Sequence, residues 1–197
     1  MNIETEAQIL QLVKEDEWMM GILRTAGSLQ LPDWWVCAGF VRAKIWDVLH
    51  GFAERTKLPD VDVIYFDPSN TEESAEKLLE AKLHGIHPGI PWSVKNEARM
   101  HKVNGLEPYM SSVDAISKFP ETATALGLKL DVHDEPVLAA PCGIGDAIGL
   151  KVRPTPFFQE TLERASIYEE RIVKKNWKQI WDRITVIHIE NKKQEPM

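Results

Sequence analysis

Residues 60 to 66 read Asp-Val-Asp-Val-Ile-Tyr-Phe, and this stretch constrains the fold more than any other. Its β-branched and aromatic residues predict a strand over Val61–Phe66. Side chains at i and i+2 of a strand share a face, so Asp60 and Asp62 project together, about 6–7 Å apart along the chain. Val61 and Val63 then point the opposite way, into a core. Two unpaired carboxylates this close repel each other, and one is driven to hold a proton. A divalent cation between them removes the conflict, and oxygen ligands of this kind suit Mg²⁺ or Mn²⁺. A solvent-facing pair of aspartates at the start of a strand is the plainer explanation of the same pattern.

The preceding segment sharpens the choice. Trp34–Ala38 is a short apolar run that predicts a strand, Gly39 interrupts it, and Phe40–Phe52 carries Val41, Ile45, Val48 and Leu49 at helical spacing. A helix start at the end of a strand offers free N–H groups and the positive end of a dipole to an anion. Gly39 lets a phosphate approach the backbone. Arg42 stands in the first turn, where the dipole disfavours a cation, and a bound anion relieves that penalty. A salt bridge from Arg42 to Asp33 accounts for it equally well.

The rest of the chain places this unit in a mixed sheet. Residues 3–26 predict one or two amphipathic helices. A helix follows the Asp67–Asn70 turn and ends near His84-Gly85. Trp92–Met100 alternates as a third strand, 111–126 is helical with a break at Pro120, and Gly127–Val132 and Val137–Ala140 are further strands. A long charged helix is expected over 157–182, and Ile184–Ile189 as a strand or a helical extension. The expected architecture is α/β (α+β), a small mixed sheet flanked by helices. It divides into a helical N-terminal cap (1–30), a core (31–155) and a helical C-terminal tail (156–197), all in one domain.

Composition excludes several classes. The chain has 197 residues, enough for a full core, and a formal net charge of -7, which argues mildly against a polynucleotide partner. No apolar run reaches membrane-spanning length, and the acidic amphipathic N-terminus lacks the basic start and apolar middle of a signal peptide, so a cytoplasmic location is expected. Cys37 and Cys142 sit in apolar or Gly/Pro-rich company and read as reduced packing residues.

The stretches AGFVRAKIWDVLHGF, DVDVIYFD, WSVKNEARMH and AAPCGIGDAIGL together resemble a bacterial nucleotidyltransferase-like family of the DNA polymerase β-type superfamily. The Gly39-Phe40-Val41-Arg42 helix start followed by Asp60-Val61-Asp62 is closest to the CCA-adding branch. The resemblance spans about residues 30 to 155. It implies Mg²⁺- or Mn²⁺-dependent transfer of a nucleoside monophosphate from a nucleoside triphosphate to a hydroxyl acceptor. Asp60 and Asp62 would hold the metal, and Gly39, Phe40 and Arg42 the triphosphate. Phe40 stands where the superfamily has Gly or Ser, so only its backbone serves there. The superfamily adds a third acid on a neighbouring strand. Alternation along 92–99 groups Ser93, Lys95, Glu97 and Arg99 on one face, which makes Glu97 the first candidate for that acid and Lys95 a nucleotide-binding residue; Asp131 is the second candidate for the acid. The acceptor is expected to be a small molecule or a protein rather than RNA. A non-catalytic nucleotide-binding or regulatory protein on the same fold is the alternative.

Overall fold

The computed structural model describes residues 2–189. Two capped helices open the chain, α1 (Glu6–Lys14) and α2 (Glu17–Gly27). Thr5 accepts from the Gln8 N–H while the Gln8 side chain returns to the Thr5 N–H, and Asp16 accepts from Met19 N, so the exposed N–H groups at both starts are partly satisfied. Then follow β1 (Trp35–Cys37), α3 (Gly39–His50), β2 (Val61–Tyr65), α4 (Glu73–Ile86), β3 (Trp92–Asn96), α5 (Glu97–Asn104) and α6 (Ser112–Ser117). The second half contains β4 (Gly127–Leu130), β5 (Pro136–Ala139), α7 (Gly145–Ile148), β6 (Lys151–Val152), α8 (Pro156–Gln159), α9 (Leu162–Lys175), a 3-10 turn (Trp177–Gln179) and β7 (Thr185–Val186).

Five strands form one mixed sheet in the order β3-β2-β1-β4-β5. β2 and β3 run parallel, as the α4 crossover requires, and the other pairs are antiparallel. The register sets Cys37 opposite Asp62, and Asp62 beside Ser93. Val36, Val61, Val63, Val94 and Leu128 therefore face the main core, which α1, α2 and α3 cover. Burying each such aliphatic side chain stabilises by about 1.5–3 kcal/mol. The opposite face carries Trp35, Cys37, Ile64 and Ala139, and Ile116 of α6 covers part of it. That approach depends on Gly127, where a Cβ would lie 2.9 Å from Ile116 Cδ1. Beyond the reach of α6, the end of the sheet bearing Asp62 and Lys95 stays uncovered and forms the floor of a cavity.

The expected fold class is what the structure shows, and three expected elements change. The helix expected over 111–126 is α6 alone, and turns with a bridge from Glu121 to Pro154 follow it. Strand 92–100 stops at Asn96, and Glu97 begins α5. Asn96 is the reason: its side chain caps α5 by accepting from Ala98 N and anchors the loop ahead of α4 by donating to the Asp67 and Asn70 carbonyls. The long helix over 157–182 is instead α8, α9 and a 3-10 turn. Thr161 caps the start of α9, and Asn176 ends it in the left-handed region at φ 41°. Residues 190–197 of the expected tail lie outside the described residues.

Candidate active site

Local sequence builds the β1–α3 junction. Ala38, between the strand and the helix, has φ 56° and ψ -116°, an unfavourable conformation for a residue with a Cβ. Its N–H bonds to Leu126 O, and its carbonyl accepts from Val41 N and Arg42 N. The Gly39 and Phe40 N–H groups have no partner among the described residues. A Cβ on Gly39 would meet nothing nearer than Arg42 Nη2 at 3.7 Å, so protein packing does not demand glycine. A side chain there would instead intrude on a cavity of about 310 Å³ lined by Gly39, Arg42, Asp60, Asp62, Arg171 and Lys175.

Asp60 is exposed and lies one residue ahead of β2, while Asp62 stands on the strand and is mostly buried. Among the described residues, neither carboxylate forms an ion pair. Burial and then repulsion from Asp60 push the Asp62 carboxyl up to about 6, and the Ser93 hydroxyl only partly offsets them. The repulsion expected from the spacing is therefore present. Val61 and Val63 are fully buried on the other face.

Arg42 is 6% exposed and forms no salt bridge with Asp33, which instead accepts from Trp35 Nε1 and Ser112 N. Its guanidinium lies against the rings of Trp46, Trp177 and Trp181, and its Nε is buried without a hydrogen-bond partner. Burial pulls this guanidinium down to about 10, so it remains charged at neutral pH. The Phe40 ring is buried beside Trp18, which leaves only the Phe40 backbone at the helix start.

A second cavity, about 680 Å³, meets the first at Ala38, Asp62, Thr124 and Arg171. Its floor includes Cys37, Ile64, Lys95 and Glu97, and Tyr109, Phe119, Phe157 and Phe158 contribute aromatic walls. Glu97 reaches this space from the first turn of α5, not from the strand face that alternation assigned to it. It is 6% exposed. Burial, reinforced by the charges of Glu76 and Asp62, raises its carboxyl to about 8. Among the described residues no three His, Cys, Asp or Glu side chains are arranged to hold a metal, so Glu97 does not close a cluster with Asp60 and Asp62. Lys95 shares the floor with Asp62 and lies 3.7 Å from Glu76. Asp131 is elsewhere, in the β4–β5 turn, where it accepts from His133 N and Glu135 N and borders a different hollow.

Several residues escaped the sequence reading. Glu76 and Glu121 are both 0% exposed and pair with Arg99 and Arg171. Trp177 and Trp181 complete the surroundings of Arg42. The i, i+4 tryptophans next to a basic helix end were the available signal.

The model of the nucleotidyltransferase family matches residues 24–186. No protein of curated function matches the chain. A solved NMR structure described as revealing a CCA-adding enzyme head domain is 37% identical, with a TM-score of 0.86 over 95% of this chain and 98% of that one. A CCA-adding enzyme complexed with CTP (13% identity, TM-score 0.58) covers 94% of this chain and 44% of its own. The Thermotoga maritima CCA-adding enzyme complexed with tRNA (15% identity, TM-score 0.55) covers 95% and 44%. The chain thus spans less than half the length of those two enzymes, which share its fold. The match over most of the chain, with the Gly39 helix start and Asp62 strand at one cavity, makes this protein a member of the nucleotidyltransferase family, close to the CCA-adding branch.

Proposed function

We propose that the protein transfers a nucleoside monophosphate from a nucleoside triphosphate to a hydroxyl acceptor, with release of pyrophosphate. One observation carries the reading: two carboxylates without a cation and one buried arginine without an anion line the same cavity. A phosphate chain accompanied by a divalent cation matches both deficits. The donor set of Asp60 and Asp62 fits Mg²⁺ or Mn²⁺, which when bound would supply charge neutralisation at the reacting phosphate. Gly39 and Phe40 offer N–H groups to the phosphates, and Arg42, Arg171 and Lys175 offer charge.

An in-line displacement places the acceptor opposite the leaving pyrophosphate. With the phosphates in the cationic cavity, the acceptor hydroxyl approaches from the larger aromatic one. Its oxygen bonds to the α-phosphorus as the bond to the bridging oxygen breaks, and the electron pair leaves with pyrophosphate. Glu97, beside Asp62 in that cavity, is positioned to take the hydroxyl proton, with Lys95 on the same floor to contact the nucleotide. The expected preference for a small molecule or protein over RNA has no support in the fold, since one solved structure sharing it is a complex with tRNA.

A second reading, nucleotide binding without chemistry, is favoured by the absence of a three-acid cluster among the described residues. Pyrophosphate release separates the two. The protein, incubated with each nucleoside triphosphate, Mg²⁺ or Mn²⁺, and a cell extract as acceptor source, is expected to release pyrophosphate and label an acceptor, and Asp60→Ala to abolish both. Nucleotide binding with no pyrophosphate release under any condition supports the binder.

A further inference from the structure

Arg42, which is buried, differs from the partly buried Arg99 and Arg171 in what surrounds it. Arg99 is held by both Glu76 oxygens and Arg171 by Glu121. Arg42 has aromatic rings instead: its guanidinium carbon lies 5.1 Å from the Trp46 ring centroid, 4.4 Å from Trp177 and 5.2 Å from Trp181. Ring faces attract the cation without accepting its N–H groups in the plane of the fork. A carboxylate at the same place would have neutralised it.

Two of these rings come from the segment after α9. That segment is fastened to α3, the helix that begins at Gly39. Trp181 Nε1 donates to Asp47 Oδ1 at 2.9 Å, Arg183 N donates to His50 Nε2 at 3.3 Å, and Arg183 Nη1 donates to Leu49 O at 2.8 Å. β7 then pairs with β6. The C-terminal half of α9, just ahead of that segment, brings Arg171 and Lys175 to the cavity, where both draw the Asp62 carboxyl downward.

We infer that Trp177 and Trp181 are positioning residues for Arg42, and that docking of segment 177–187 on α3 completes a polyphosphate clamp. The rings hold the guanidinium charged, dehydrated and free to fork onto the terminal phosphates, while Lys175 lines the same cavity. The clamp takes a diphosphate or longer chain and gains nothing from a monophosphate. This inference rests on the cationic cavity being the triphosphate site.

Calorimetric titration of the full chain with magnesium pyrophosphate and with nucleoside monophosphates tests it. Trp177→Leu is expected to weaken pyrophosphate binding about tenfold, the worth of one dehydrated cation–π contact. Trp177→Phe keeps a ring and is expected within about threefold of wild type. The Trp177 indole makes no hydrogen bond among the described residues, so neither change strands a polar group. Lys175→Ala, at an exposed position, is expected to weaken pyrophosphate about threefold and flatten its salt dependence. Monophosphate affinity stays the same in all of them. A purely structural role for Trp177 predicts a lower melting temperature with unchanged pyrophosphate affinity, and that result overturns the inference while leaving the nucleotide site in place. Should Trp177→Leu not fold, wild-type affinity in Lys175→Ala overturns it. A wild-type protein that binds neither pyrophosphate nor any nucleoside triphosphate removes the underlying reading as well.

Discussion

Two corners of the sheet treat charge in opposite ways. At the β3–α5 corner, fully buried Glu76 receives both Arg99 bonds at 2.8 Å and the Asn96 N–H at 3.0 Å. At the β1–α3–β2 corner, Asp60, Asp62 and Arg42 line one cavity, yet Arg42 forms no ion pair and its Nε no hydrogen bond among the described residues. The first corner is complete within the protein. The second keeps both signs of charge apart, so a ligand carrying phosphates and a cation can satisfy each. Leaving such groups unsatisfied costs stability, which is the usual mark of a site shaped for binding.

The difference is broken most severely at the paired corner. Glu76→Ala leaves the Arg99 charge and the Asn96 N–H without their partner, and is expected to cost about 3–5 kcal/mol in urea unfolding. A loss under 1 kcal/mol would mean that the pairing contributes little. At the open corner the expectation reverses. Asp62→Asn relieves repulsion from Asp60, so stability holds or rises by about 1 kcal/mol, while pyrophosphate release falls about 100-fold or more. A variant that loses both stability and activity together would place Asp62 among the structural groups.

Glu97 lies between the two corners and yields an effect that appears only as pH rises. Its folded carboxyl is raised to about 8 from an ordinary 4.5. The unfolded chain therefore releases this proton first, and stability falls as pH rises from about 4.5 to 8. Glu97→Gln removes that dependence. The variant is expected to match wild type near pH 4 and to exceed it by about 1–3 kcal/mol above pH 8, as read by thermal melts across pH. If Glu97 takes the acceptor proton, pyrophosphate release by wild type rises with pH up to about 8, and the variant loses that limb.

The strand–glycine–helix unit, the aspartate pair and the valines behind it were all legible, because alternation and helix starts reflect neighbours in the chain. Glu97 was legible as a residue but not in its placement. The run 92–100 alternates as a strand does, and only the contacts of Asn96 with Asp67, Asn70 and Ala98 decide that the strand ends there. Lys95 keeps the face that alternation gave it with Ser93, since both precede that stop, and the register sets Ser93 beside Asp62. Asp131 met the same alternation rule but fell in a turn away from the cavity. The ion pair of Arg42 with Asp33 failed because Asp33 is taken by Trp35 and Ser112.

The sequence by itself determined the β1–α3–β2 unit, its two adjacent carboxylates and the helix start beside them, since each depends on residues a few positions apart. Only the tertiary structure decided which charges find partners. Glu76 meets Arg99, Glu121 meets Arg171, and Trp177 and Trp181 rather than any acid meet Arg42. Such encounters arise where distant segments pack, and packing leaves no fixed spacing in a sequence.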